Sequence, residues 1–349
     1  MAHFRTAHPG HTRTLVQQPE PGHLSASGHP QHGRAPVTAA VGRKAKGRSH
    51  AAPAAKQPSA ADIAAIAAYA RPARFDRIKL REGFLMQFGK GSHFDSAAIP
   101  QLELLVGFME ADTGIADIRW MAYMLATAYW ETTSLKKETV PTLDKKGKPL
   151  VDKKGQPLVH SRQRWAITMS PVEEVGHGAG RNYFLPVKVK SLPSGEARVT
   201  EQDGDQFTVS AKGLHTAITK GARMGAAAAQ KAVKTYADDD GVELSYFGRG
   251  YVQLTWWSNY ARSSAQLGLG LQLLLDPAQV LQPQTAYKLM AHGMLTGEGF
   301  ANGRKFGTYF NGARTDYVKA RAMVNGTDHA AEIAAIARQF ETILLDAKP

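Results

Sequence analysis

Residues 246–260, YFGRGYVQLTWWSNY, restrict the fold of this chain more than any other stretch. Gly248 and Gly250 flank Arg249, and two glycines so close admit backbone angles and approaches that a side chain forbids. From Tyr251 to Trp257 the residues alternate, which predicts a strand with Tyr251, Gln253 and Thr255 on one face and Val252, Leu254 and Trp256 on the other. Gln253, Thr255 and Asn259 then offer uncharged donors and acceptors beside aromatic rings, the chemistry that holds hydroxyls and N-acetyl groups over apolar sugar faces. The plainer alternative is a hairpin arm with a Trp pair in the core.

Cysteine is absent, which excludes disulfides, thiolate metal sites and a Cys nucleophile and leaves the core to hold the fold. Residues 1–75 hold ten Lys plus Arg against two acids, +8 of the formal +13. Rich also in Ala, Pro, Gly and His, residues 1–74 predict a disordered basic tail drawn to anions. Bacterial wall, anionic membrane and nucleic acid all qualify, and nothing in the tail selects a specific nucleic acid. No run approaches the roughly 18 apolar residues of a membrane span, and the N-terminus lacks the apolar region of a secretory signal.

The folded part is expected over residues 75–349. Helical spacing of apolar residues recurs over 98–112 and 118–129, with further helices suggested at 259–267, 283–295, 315–323 and 328–346 and a short Ala-rich one from Ser59 to Ala70. This predicts a mainly α (α+β) domain with a small sheet or hairpin and two insertions, at about 136–170 and 182–245. The first contains a tandem repeat, LDKKGKPL at 143–150 and VDKKGQPL at 151–158, whose Asp-Lys-Lys-Gly reads as turn chemistry. It is either a solvated insertion or a basic arm that contacts a cell wall. In the second, two alternating runs flank Asp203-Gly204-Asp205 and predict a β-hairpin, followed by an Ala-rich helix over 222–237.

Four stretches in order carry a family resemblance: WMAYMLATAYWETTS (120–134), PVEEVGHGAGR (171–181), the 246–260 segment and MVNGTDHAAEIAAIARQF (323–340). Together they resemble glycoside hydrolase family 19 and the lysozyme-like superfamily, which holds chitinases and phage or bacterial peptidoglycan hydrolases. The resemblance implies a lysozyme-like helical domain that cleaves glycosidic bonds between N-acetylated sugars of the bacterial wall, as an endolysin or related lysin. Chitin is the alternative substrate, and a catalytically inactive wall-binding or polyanion-binding protein the alternative of another class. Such a protein would be a monomer made in the cytoplasm and released by phage lysis, carried in a virion or delivered by a secretion system.

Glycosidic hydrolysis by two carboxyl groups needs one protonated donor and one ionised partner that activates water. Glu131 follows Tyr129 and Trp130 at the end of an apolar helix, and such surroundings favour a protonated carboxyl; the plainer reading is an exposed Glu at a helix end. For the second carboxylate, Glu173 is preferred and Glu174 follows, because excising 136–170 restores the short spacing of compact relatives. Glu174 alternatively pairs structurally with Arg249 or Arg181. By resemblance, Thr255 orients the water, Gln253 and Asn259 bind sugar, and Asn325 lines the cleft; Tyr251 and Arg249 complete the substrate-binding set. The family inverts, which needs carboxyl groups about 6.5 to 9.5 Å apart. One departure stands out: Trp130 occupies the place before the catalytic Glu where many relatives have His. No cofactor or metal is expected, since seven of 13 His lie in the tail, those at 177, 215, 292 and 329 are isolated, and Asp238 to Asp240 lack a calcium-loop pattern.

Overall fold

The computed structural model describes residues 57–181, 183, 185–219, 236–237 and 239–349. The tail up to residue 56 and nearly all of the expected helix at 222–237 lie outside the described residues. The core is built around α4 (Ile118–Glu131), which follows α1 (Ala60–Tyr69), α2 (Arg77–Phe88) and α3 (Ala98–Ala111). Eleven of the 14 residues of α4 are buried, so it is covered on nearly every side, as an all-round apolar helix must be. Asp117 caps it by accepting from the Arg119 N–H. After α5 (Trp257–Gln266) and α6 (Pro283–Thr296), the closing helix α7 (Ala330–Asp346) lies along α4, and Phe340 meets Phe88 and Tyr129 with ring centroids 5.0 and 6.0 Å apart.

The short helix expected from Ser59 to Ala70 is present as α1 and is tied to the rest of the fold. Ser59 and Asp62 form a capping box at α1, Asp62 also accepts from the Ala313 N–H at 2.9 Å, and the Tyr69 hydroxyl donates to Glu341. Arg71 then donates to the carbonyls of Ile115 and Glu110. None of the residues of α1 is buried, so polar pins rather than an apolar stripe attach it, and apolar periodicity carries no trace of them.

The expectation of a mainly α domain with a small sheet is corrected by a five-stranded antiparallel sheet in the order β7-β6-β5-β4-β8. Its strands are β4 (Val187–Ser191), β5 (Ala197–Thr200), β6 (Gln206–Val209), β7 (His215–Thr219) and β8 (Val242–Leu244), so the second insertion supplies the whole sheet and the architecture is α+β. The predicted hairpin is present as β5 paired with β6 around Asp203-Gly204-Asp205. Its neighbours are short, and β4 alternates buried Val with half-buried Lys, a weak signal in a basic chain. Val187, Val189, Ala197, Val199 and Val209 form the buried face. Trp257 at the start of α5 holds the sheet in place: its indole N–H donates to Glu201 at 2.7 Å, and the rings of Phe207 and His215 lie 5.2 and 5.0 Å from it. Asp239 and Asp240 clip the sheet through Thr200, Arg198 and Lys190.

The first insertion is a two-stranded arm. β1 (Thr133–Pro141) and β2 (Val159–Ile167) pair over nine positions, from Thr133 with Ile167 to Pro141 with Val159, so the inserted unit is 133–167 rather than 136–170. At its tip each repeat makes one tight turn. Asp144 accepts from the N–H groups of Lys146 and Lys148, and Asp152 does the same for Lys154 and Gln156. The N–H of Leu150 bonds to Thr142, that of Leu158 to Leu150 and that of Thr142 to Leu158, a closed ring of three backbone bonds.

Asp95, in the loop before α3, anchors the base by accepting from Lys136 and Arg164. Burial pushes its carboxyl up, but hydrogen bonds from Lys136 and the Ala97 N–H, with the two cationic charges, outweigh this and hold it below the ordinary 3.8. A depressed carboxylate contributes stability that is complete above its unfolded value and is lost as pH falls through the folded one. The melting temperature of the wild-type chain should therefore exceed that of Asp95→Asn at neutral pH, with the gap closing below about pH 4. Melting curves across pH check this; a gap that is constant with pH would remove the charge from the explanation.

Candidate active site

The 246–260 segment does not form the predicted strand. Only Arg249–Gly250 is extended (β9), pairing antiparallel with β3 (Val172–Glu173). The chain then turns through Tyr251, Val252 and Gln253, bridges back from Leu254 to Arg249, and enters α5 at Trp257. Gln253 and Trp256 take left-handed φ of 50° and 69°, which breaks the alternation: Tyr251, Val252, Gln253 and Leu254 are all buried.

This turn holds the second-carboxylate segment. Arg249 donates from Nε to Glu173 at 3.1 Å and from Nη1 to the Ser245 carbonyl and the Tyr260 hydroxyl, with its guanidinium 3.7 Å from the Phe247 ring centroid. The His177 ring stacks on the same Phe247, and His177 Nε2 is 3.4 Å from the other Glu173 oxygen. Glu174 accepts from the Tyr183 hydroxyl at 2.9 Å and from the Gly248 N–H at 3.1 Å. The partner of Arg249 is thus Glu173, whereas the structural alternative above gave that place to Glu174.

Gly248 is needed for contact: a Cβ there would lie 2.8 Å from Gln253 Oε1 and 3.3 Å from Glu174. Gly250, at φ 81°, would place one 2.9 Å from Val280. Gly250→Ala should cost about 1–3 kcal/mol through left-handed strain and that contact. Gly248→Ala should leave the melting temperature less changed while moving Glu174 and Gln253, so that activity falls more than stability. Paired melting and activity measurements check the contrast.

Glu131 lies elsewhere in sequence and is the more deeply placed carboxylate, 2% exposed. Its surroundings are not apolar rings alone, because Arg321 Nη1 donates to Glu131 Oε1 at 2.8 Å with both side chains buried. Arg321 Nε bonds the Asp328 carbonyl, and the Asn325 N–H bonds the Arg321 carbonyl, which brings Asn325 to this cluster. Burial raises the Tyr123 hydroxyl well above its ordinary range, with Arg321 pulling it down and Glu131 pushing it up. Trp130 packs at a tilt against His329, with ring centroids 4.9 Å apart.

The base of the arm joins the two clusters. Thr132, next after Glu131, offers its carbonyl to both the N–H and the hydroxyl of Thr168, five positions before Glu173. With 133–167 folded out as an arm, Glu173 and Glu174 follow Glu131 by seven and eight positions.

The sugar-binding expectations divide. The Gln253 amide donates to the carbonyls of Val172 and Gly250, and the Asn259 amide to Thr255, so both brace the backbone. Tyr251 is fully buried, its hydroxyl has no hydrogen-bond partner among the described residues, and Arg249 is engaged as described. Thr255 is half-buried and its hydroxyl makes no hydrogen bond among the described residues. Sequence reasoning missed Arg321 and Tyr183. The need for Arg321 was legible in principle, because a Glu buried at a helix end requires a cation and Arg321 is four residues before Asn325. Among the described residues, the acidic cluster that could hold a metal ion is Glu201, Asp203 and Asp205, in the β5–β6 turn. No described helix is long and apolar enough to cross a membrane. Comparison of the chain with protein-family models, with curated proteins and with solved structures found no match in any of the three.

Proposed function

We propose that the chain is a glycoside hydrolase that cuts the glycan strands of bacterial peptidoglycan. Glu131, loaded with a proton in place of its ion pair with Arg321, donates it to the leaving glycosidic oxygen, and Glu173, more exposed than Glu131, takes a proton from the attacking water. Glu174, held by Tyr183 and Gly248, keeps the β3 segment in register with the glycine turn. The observation that carries this reading is the closure of the arm at Thr132 and Thr168, which leaves the buried Glu131 and the part-exposed Glu173 seven positions apart along the rest of the chain. Thr255 supplies a hydroxyl for water or sugar.

A second reading has its own observation. Glu131 is already bonded to Arg321, and the Gln253 and Asn259 amides are spent internally, which suits a protein that binds glycan without cutting it. Digestion of purified Gram-negative peptidoglycan beside colloidal chitin separates the outcomes. Soluble muropeptides are the expected result. Release from chitin alone makes chitin the substrate, and sedimentation with the wall without release supports the binding protein.

A further inference from the structure

We propose that the tip of the β1–β2 arm docks on the surface of an anionic lipid bilayer. The tip presents two chemistries together. Lys145, Lys146, Lys148, Lys153 and Lys154 are exposed, and none of them is ion-paired among the described residues. Beside them, Leu143, Leu150, Val151, Leu158 and Val159 are 54%, 40%, 55%, 44% and 56% exposed, a patch that water alone does not favour. The tandem repeat makes this arrangement twice, because Asp144 and Asp152 fix equivalent turns and place Lys145-Lys146 and Lys153-Lys154 at matching positions.

Further down the arm Arg162 and Arg164 share Glu138 and Lys136 pairs with Asp95, which leaves Lys137 as the stalk cation without an ion pair among the described residues. Lysines without an ion pair are therefore concentrated at the tip, five there against one on the stalk that is fixed to the domain. Lysines attract an anionic headgroup layer, and aliphatic side chains gain only where an apolar phase follows that layer. A soluble polyanion would satisfy the lysines and leave the five aliphatic side chains wet. A glycan would call for aromatic platforms, and residues 142–159 contain no aromatic. Nine strand pairs span about 30 Å at roughly 3.3 Å each, so docking would hold Glu131, at the root of the arm, at that order of distance from the bilayer.

The absence of cysteine makes a local test direct. In the full chain, Val151→Cys is labelled with a polarity-sensitive dye, with Ser194→Cys, in the turn between β4 and β5, as the reference position. Phosphatidylcholine vesicles with and without about one third phosphatidylglycerol are then titrated in at physiological salt. The expected result is a blue shift at position 151 alone, with anionic vesicles alone. Replacing Lys145, Lys146, Lys153 and Lys154 by Gln should weaken the apparent affinity at least about tenfold. No shift at 151, equal shifts at both positions, or full retention in the four-Gln variant would overturn the proposal; the last two would move binding to the N-terminal tail. An equal shift with soluble polyphosphate would overturn it in favour of an anionic polymer.

Discussion

Glu131→Gln is expected to lower glycan cleavage by roughly 10²–10⁴-fold, the usual contribution of a positioned general acid. Binding to sedimented wall should stay near the wild-type level. The amide keeps the size of the side chain and an oxygen that accepts from Arg321, so the variant should still fold, with lowered stability because Arg321 loses its counter-ion. The losses should be ordered: Glu173→Gln close to Glu131→Gln, and Glu174→Gln smaller, because Glu174 acts through the register of β3 against the Gly248 turn. Initial rates on soluble wall fragments, with sedimentation of each variant on intact wall, read both quantities. Unchanged turnover in Glu131→Gln would remove Glu131 from the chemistry.

Arg321→Met carries the largest expected effect on stability. Both members of the Glu131–Arg321 pair are buried, and removing one strands the other without a counter-ion, which costs about 3–5 kcal/mol. The double variant Glu131→Gln with Arg321→Met should recover a large part of that loss, because no charge is then left buried. Arg321→Lys should fall between, keeping the charge but not the fork that also reaches the Asp328 carbonyl. Denaturant unfolding of the wild-type chain, the Glu131→Gln and Arg321→Met single variants and the double variant gives the coupling directly. Additive losses in the double variant would mean that Arg321 stabilises the fold through Asp328 rather than through Glu131.

The helices were largely legible because apolar spacing reports burial. The 98–112 and 118–129 patterns correspond to α3 and α4, and the 283–295 and 328–346 patterns to α6 and α7. What periodicity could not report was structure fixed by polar contacts or by backbone conformation. The α1 helix was legible as the Ala-rich run from Ser59 to Ala70 but its attachment through Asp62 and Tyr69 was not, and three of the five sheet strands, β4, β7 and β8, lie outside the hairpin that Asp203-Gly204-Asp205 marks. In the 246–260 segment, alternation of residue type coincided with a turn, because left-handed Gln253 and Trp256 bury consecutive side chains. For the site, residue types showed where carboxylates and amides were, whereas their partners followed only from the fold. Gln253 and Asn259 turned inward, and Arg321 reached Glu131 across 190 positions of sequence.

The measurement that bears most directly on the central claim is mass spectrometry of peptidoglycan fragments produced in water enriched in heavy oxygen. Hydrolysis of the glycan strand by the Glu131 and Glu173 pair predicts muropeptides with new reducing ends, each carrying one heavy oxygen from the attacking water and absent from the Glu131→Gln digest. Fragments that end in an anhydro sugar without heavy oxygen, fragments cut only in the peptide stems, or no fragments at all would contradict it.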